Sequence, residues 1–167
     1  DEVRSAIRKE IEAEKVSMPP QYMMMKITNY CNSDCVYCNH AKSRIQNEVK
    51  QEISMERLQS IIGEAIQMGV KAISISGGEP LVRKDVETIV RQIADSNVVP
   101  VLLTNGCLLK ERAESLYESG LRYFIISLDS LDAEDYLAQR GVDIGPVLEG
   151  IETVRGLMQK DETVKLH

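Results

Sequence analysis

The sequence predicts an α/β fold of parallel β/α repeats forming part of a barrel. Two observations carry this. Short apolar strands alternate with helix-period segments along the chain, and each polar, glycine-containing motif falls just after a strand. Residues 1–20 read as an N-terminal charged helix and proline linker, and residues 21–167 as the core domain. A chain of 167 residues suits one core.

The elements follow in order. Asp1 to Ser17 is a charged helix with Val3, Ile7 and Ile11 on one narrow stripe, and Pro19-Pro20 ends it. Met23 to Thr28 is the first strand, its methionines read as strand core rather than sulfur ligands. A cysteine loop follows, then a run Lys42 to Lys50 read as solvated loop. Ser54 is the N-cap of a helix over Met55 to Met68, with Leu58, Ile61, Ile62, Ala65 and Ile66 on one face and Gly69 closing it. Lys71 to Ser76 is the second strand and runs into Gly77-Gly78-Glu79-Pro80. A helix over Lys84 to Ser96 leads to strand Val98 to Leu103, which ends in Thr104-Asn105-Gly106. Helix Leu108 to Ser119 stops at Gly120, and strand Leu121 to Ser127 ends in Ser127-Leu128-Asp129. The last helix covers Gly145 to Gln159, and Glu162 to His167 begins a fifth strand in which the chain is expected to be truncated. In parallel α/β sheets, ligands bind at the carboxyl ends of the strands, where these motifs gather.

Composition excludes several functions. A net charge of −6 offers no basic stripe for phosphate backbones, and one Phe with no Trp leaves little to stack bases on, so no nucleic-acid partner is expected. The longest apolar runs are strand-sized, so no membrane partner is expected either. Clustered cysteines argue against disulfides and for a reducing, cytoplasmic location with metal-bound thiolates.

Cys31, Cys35 and Cys38 stand in a C-x3-C-x2-C run. Three thiolates can hold three corners of a cubic iron–sulfur cluster and leave the fourth iron open, whereas an electron carrier is normally closed by four cysteines. Structural zinc on these three and His40 is the alternative, but His40 lies too close to Cys38 for a comfortable tetrahedral cage. Cys107 has two readings: a fourth cluster ligand, or a free buried cysteine, the commoner fate of a lone Cys before an apolar helix.

With Tyr37 just before the last cysteine, Cys31-Asn-Ser-Asp-Cys35-Val-Tyr37-Cys38 resembles the signature of the radical S-adenosylmethionine (radical SAM) superfamily. Gly77-Gly78-Glu79-Pro80, Thr104-Asn105-Gly106 and Ser127-Leu128-Asp129 follow in that family's order, and the resemblance runs from about Met23 onward. It implies a partial TIM-like barrel and a [4Fe–4S] cluster on Cys31, Cys35 and Cys38 whose open iron chelates S-adenosylmethionine. Reductive cleavage would then yield a 5′-deoxyadenosyl radical that takes hydrogen from a substrate. The resemblance further implies cofactor contacts from Gly77, Gly78, Glu79 and Pro80, with the glycines admitting the methionyl end because no Cβ blocks it. Ser127 would bond ribose or carboxylate, Arg140 the carboxylate, and Tyr37 the adenine. Thr104, Asn105 and Asp129 lie on the same rim, where shaping the turns is their alternative role. For Glu79 the alternative is a cap, for Tyr37 a lid over the cluster, and for Arg140 a solvated loop position. No catalytic residue is assigned. The implied partners are a low-potential electron donor, flavodoxin or ferredoxin, and a peptide or small-molecule substrate. The wording of the motifs is most similar to the peptide- and protein-modifying branch; a cofactor-biosynthesis enzyme similar to the molybdenum-cofactor cyclase is the competing enzyme, and a zinc or electron-transfer module the non-catalytic alternative.

Overall fold

The computed structural model describes residues 20–38 and 52–167, together with residues 4, 5, 8 and 9, which are helical. The apolar stripe Val3, Ile7, Ile11, the proposed zinc ligand His40 and the Lys42–Lys50 run lie outside the described residues.

Five strands form one sheet: β1 (Tyr22–Thr28), β2 (Ala72–Gly77), β3 (Val99–Thr104), β4 (Tyr123–Ile126) and β5 (Lys165–Leu166). All neighbours are parallel, and the order across the sheet is the order along the chain. Every connection therefore steps the same way, and crossovers of one hand put all helices on one face. This is an open, partial barrel of the kind the alternating pattern predicts.

The helices are α1 (Met55–Gln67), α2 (Val86–Asp95), α3 (Leu109–Glu118), α4 (Ala133–Arg140) and α5 (Gly145–Lys160), with a 3₁₀ turn at Pro80–Val82. The Ser54 hydroxyl caps α1 by accepting from the Arg57 N–H at 3.3 Å. Leu58, Ile62 and Ala65 of α1, Val86, Ile89, Val90 and Ile93 of α2, and Leu109, Ala113 and Leu116 of α3 are buried at helical spacing. They meet Met25, Ile27, Ile73, Ile75, Leu102 and Phe124 from the sheet in one core. Of the three consecutive methionines, only Met25 enters that core fully; alternation along an edge strand leaves Met24 exposed.

Helix α4 is the element that hydrophobic periodicity does not reveal. It is eight residues long, and only Tyr136 and Arg140 on it are buried. Its ends carry the signal instead. The Asp132 carboxylate accepts from the Glu134 and Asp135 N–H groups at 3.0 Å, and Gly141 takes the left-handed conformation that closes it.

Candidate functional site

The site is built where β1, β2, β3 and β4 end. The β1–β2 ladder continues past both strands, with the Gly78 N–H donating to the Thr28 carbonyl at 2.8 Å and the Glu79 N–H to the Tyr30 carbonyl at 2.7 Å. A Cβ on Gly77 would stand 2.3 Å from the Thr28 oxygen, and one on Gly78 2.1 Å from the Tyr30 oxygen. This corrects the reason for the two glycines. The space that a side chain would take is filled by the chain's own backbone, so the cysteine loop can lie against the turn.

Besides the turn after β2, two elements fasten the cysteine loop. At the end of β3, the Asn105 amide donates to Asn32 Oδ1 and Ser33 Oγ, both at 2.7 Å. At the end of α4, the carbonyls of Arg140 and Gln139 accept from the Asp34 and Val36 N–H groups at 2.9 and 3.0 Å. Gly141 then passes so close that a Cβ there would meet Asp34 Cβ at 2.8 Å. The helix missing from the periodic pattern is thus one of the elements that hold the loop.

Glu79 is almost wholly buried. Its Oε1 accepts from the Leu81 N–H at 2.9 Å and the Thr104 hydroxyl at 2.7 Å, and its Oε2 from the Asn105 N–H at 2.7 Å. The carboxylate therefore does cap the 3₁₀ turn, and it also bolts that turn to the end of β3. Burial pushes its pKa up, against the pull of the Asn105, Leu81 and Thr104 donors.

On the other side of the loop, Asp129 Oδ2 accepts from both Tyr37 Oη and Arg140 Nε at 2.5 Å. Arg140 Nη1 lies 3.7 Å from Cys35 Sγ, and the guanidinium carbon sits 5.4 Å from the centre of the Tyr37 ring. The Arg140 hydrogen bond, then that of Tyr37, holds the Asp129 carboxyl below its ordinary range. Arg140 is buried in the last turn of a helix, which overturns the solvated-loop reading.

These pieces enclose a cavity of about 170 Å³. Cys31, Cys35, Tyr37, Cys38, Gly77, Gly78, Glu79, Thr104, Ser127 and Arg140 all border it. Pro80 and Asp129 do not: Pro80 starts the buried 3₁₀ turn behind the wall, and Asp129 acts through Tyr37 and Arg140. Ser33, Ser76, Leu103 and Asn105 complete the wall. Asn105 faces the rim as expected, and its grip on the loop depends on a partner 73 residues away, which no local pattern displays. Cys107 stands off the wall, half-buried and packed beside Tyr136 and Val147. His167 ends β5, exchanging backbone hydrogen bonds with Phe124 and Ile126.

The donor set fits a polynuclear cluster. The three cysteines form no disulfide and share one wall, yet among the described residues no three His, Cys, Asp or Glu side chains converge on a single-ion site. A cubic cluster takes one thiolate on each of three separate irons. No helix among the described residues is long and apolar enough to cross a membrane.

Known proteins resemble this chain in sequence and in fold. The GTP 3′,8-cyclase of Alkaliphilus oremlandii (strain OhILAs) is 36% identical over 133 residues, covering 78% of this chain and 42% of the relative. That of Limosilactobacillus fermentum (strain NBRC 3956 / LMG 18251) is 37% identical over 139 residues, covering 81% and 42%. The chain thus spans about two fifths of the length of these curated relatives. Among solved structures, Streptococcus suis SuiB bound to S-adenosylmethionine superposes with a TM-score of 0.69 at 21% identity, over 98% of this chain and 36% of SuiB. Native anSMEcpe with bound AdoMet gives 0.65 at 21%, over 89% and 43%. Identities this low speak for the fold alone. The profile of the radical SAM superfamily matches residues 25–167, nearly the whole core domain. A match of that extent is membership: this chain belongs to the radical SAM superfamily of enzymes and shares its cofactors, a [4Fe–4S] cluster and S-adenosylmethionine.

Proposed function

We propose that this chain is the cofactor-binding part of an enzyme that acts on a guanosine nucleotide in the manner of the GTP 3′,8-cyclases. The observation that carries the reading is the 36–37% identity to such cyclases across the site-bearing region. It moves the preferred substrate away from a peptide and toward the cofactor-biosynthesis alternative, because the likeness to SuiB rests on fold at 21% identity.

In this reading Cys31, Cys35 and Cys38 hold the cluster, and the backbone of Gly77 to Pro80 faces the methionyl ammonium. Glu79 lends a buried negative charge beneath it. Three donors already engage its carboxylate, so one acceptor position on Oε2 remains for the ammonium. Exposed Ser127 offers its hydroxyl to ribose or carboxylate, and Arg140 Nη2, which has no partner among the described residues, offers a donor to the carboxylate. Tyr37 and Thr104 border the same space, while Pro80 and Asp129 act by positioning the turn and Arg140. Held there, the cluster would supply the one electron that cleaves the cofactor's sulfonium, and the cofactor would supply the means of taking hydrogen from the substrate.

Lys26 on β1 is exposed and alternates with the core-facing residues Met25 and Ile27, which puts it on the sheet face opposite the helices, where a cation suits a phosphate-bearing substrate. A flavodoxin or ferredoxin supplies the electron, in a reducing cytoplasmic setting that keeps the thiols available.

The test uses the full-length protein, reconstituted anaerobically with iron and sulfide and given S-adenosylmethionine and a reductant. Adding GTP is expected to raise the rate of 5′-deoxyadenosine formation at least tenfold, a difference of about 1.4 kcal/mol in barrier. A rate that GTP leaves unchanged sinks the nucleotide reading, and no 5′-deoxyadenosine under any condition sinks the radical one.

A further inference from the structure

Arg140 has a second task beside the cofactor carboxylate. Its side chain is 9% exposed, clamped at Nε by Asp129 at 2.5 Å, and its Nη1 lies 3.7 Å from Cys35 Sγ. Tyr37 closes the arrangement by donating to the same Asp129 oxygen. The other two cluster cysteines are served differently. The Asn105 amide nitrogen is 3.9 Å from Cys31 Sγ, but Asn32 and Ser33 already take its two hydrogens at 2.7 Å. Cys38 Sγ has no side-chain donor among the described residues. Arg140 thus brings a buried, full cation to a cluster sulfur.

We propose that Arg140, held by Asp129, donates to the Cys35 sulfur and sets the reduction potential of the cluster. Reduction adds one electron from an external low-potential donor, with no bond made or broken. A fixed positive charge and an N–H···S hydrogen bond at one thiolate stabilise the added electron and raise the potential. Burial keeps water from screening that charge. Asp129 works in the opposite electrical sense: it places the guanidinium, and its own negative charge offsets part of the effect. Arg140 is in this respect a positioning and tuning residue, and the same side chain links the cluster to the cofactor carboxylate.

This inference rests on the reading that Cys35 is a cluster ligand, and the experiment separates the two. Full-length protein is reconstituted anaerobically, and the reduced cluster is titrated potentiometrically by electron paramagnetic resonance without S-adenosylmethionine, so that carboxylate binding cannot move the readout. The signal followed is the one lost in Cys35→Ala; if Cys35→Ala loses none, the ligand reading itself fails. In Arg140→Gln the ratio of reduced to oxidised cluster at a fixed potential is expected to fall about tenfold, a midpoint lower by about 59 mV for a one-electron couple. Arg140→Lys is expected to lie between the two. Asp129→Asn, which retains an acceptor for Nε but loses the counter-charge, is expected to shift upward. An Arg140→Gln midpoint equal to wild type at equal iron content overturns the proposal. If that variant does not hold the cluster, an Asp129→Asn midpoint that is unchanged or lower overturns it.

Discussion

Arg83 is a buried cation whose partners come from three separate stretches of chain. Its Nη1 donates to the carbonyls of Ile27 and Ile53 at 2.9 and 3.0 Å, while Nε and Nη2 grip Asp85 at 2.8 and 2.7 Å. It thereby ties the end of β1 and the entry to α1 to the Gly-Gly-Glu-Pro turn. The Arg83 hydrogen bonds hold the Asp85 carboxyl below its ordinary 3.8. A depressed carboxyl adds stability above the unfolded value and loses it as pH falls through the folded one. Arg83→Met is expected to cost about 2–3 kcal/mol at neutral pH, below the range of about 3–5 for a fully buried pair because Asp85 is a third exposed. It is also expected to flatten the acid limb below pH 3.8, and urea denaturation with pH lowered through that value checks both. Residues of this kind are illegible in sequence. The cysteines announce themselves by spacing, but Arg83, Asn105 and Asp129 work through partners 11 to 92 residues away.

At the scale of elements, the cysteine loop depends on α4 and on the glycine that ends it. Gly141 sits at φ 67°, and a Cβ there would press on Asp34 at 2.8 Å. Gly141→Ala is expected to destabilise the protein by about 1–2 kcal/mol from the left-handed backbone alone, and to lower iron uptake by displacing the loop. Gly156, inside α5, has nothing within 4 Å of an added Cβ. Gly156→Ala is expected to stabilise by about 0.5–1 kcal/mol and leave iron uptake as it is. Chemical denaturation and iron analysis of both variants separate strain from site. Long helices are legible because their buried faces recur: α2 buries Val86, Ile89, Val90 and Ile93. With only two buried positions, α4 carries no such stripe, and its capping residues Asp132 and Gly141 are the trace it leaves in sequence.

For the whole molecule, core and site are separable. The main core lies between the sheet and its helices and contains none of the cysteines. The loop that bears them is fastened by side-chain and backbone hydrogen bonds from β2, β3 and α4, which stand without metal. Stripping iron with a chelator under anaerobic conditions is therefore expected to abolish the cluster absorbance while far-ultraviolet circular dichroism changes little. A cooperative loss of helix signal on chelation would contradict the separation, since it would mean that metal binding supplies folding energy. The same division explains why the fold is shared with proteins at 21% identity. Apolar periodicity and strand–helix alternation are satisfied by many sequences.

Local chemistry alone determined much here. Strand and helix periods led to a parallel sheet, three cysteines at close spacing to an open-cornered cluster, and motifs after strands to one rim. These are properties of neighbours in sequence, so the sequence displays them. Only the tertiary structure decided why Gly77 and Gly78 lack side chains, that Glu79 braces the rim as well as facing the cavity, and that Arg140 reaches Cys35. Each of those depends on atoms brought together by parallel crossovers from distant parts of the chain, and no spacing rule encodes which carbonyl or thiol will be waiting there.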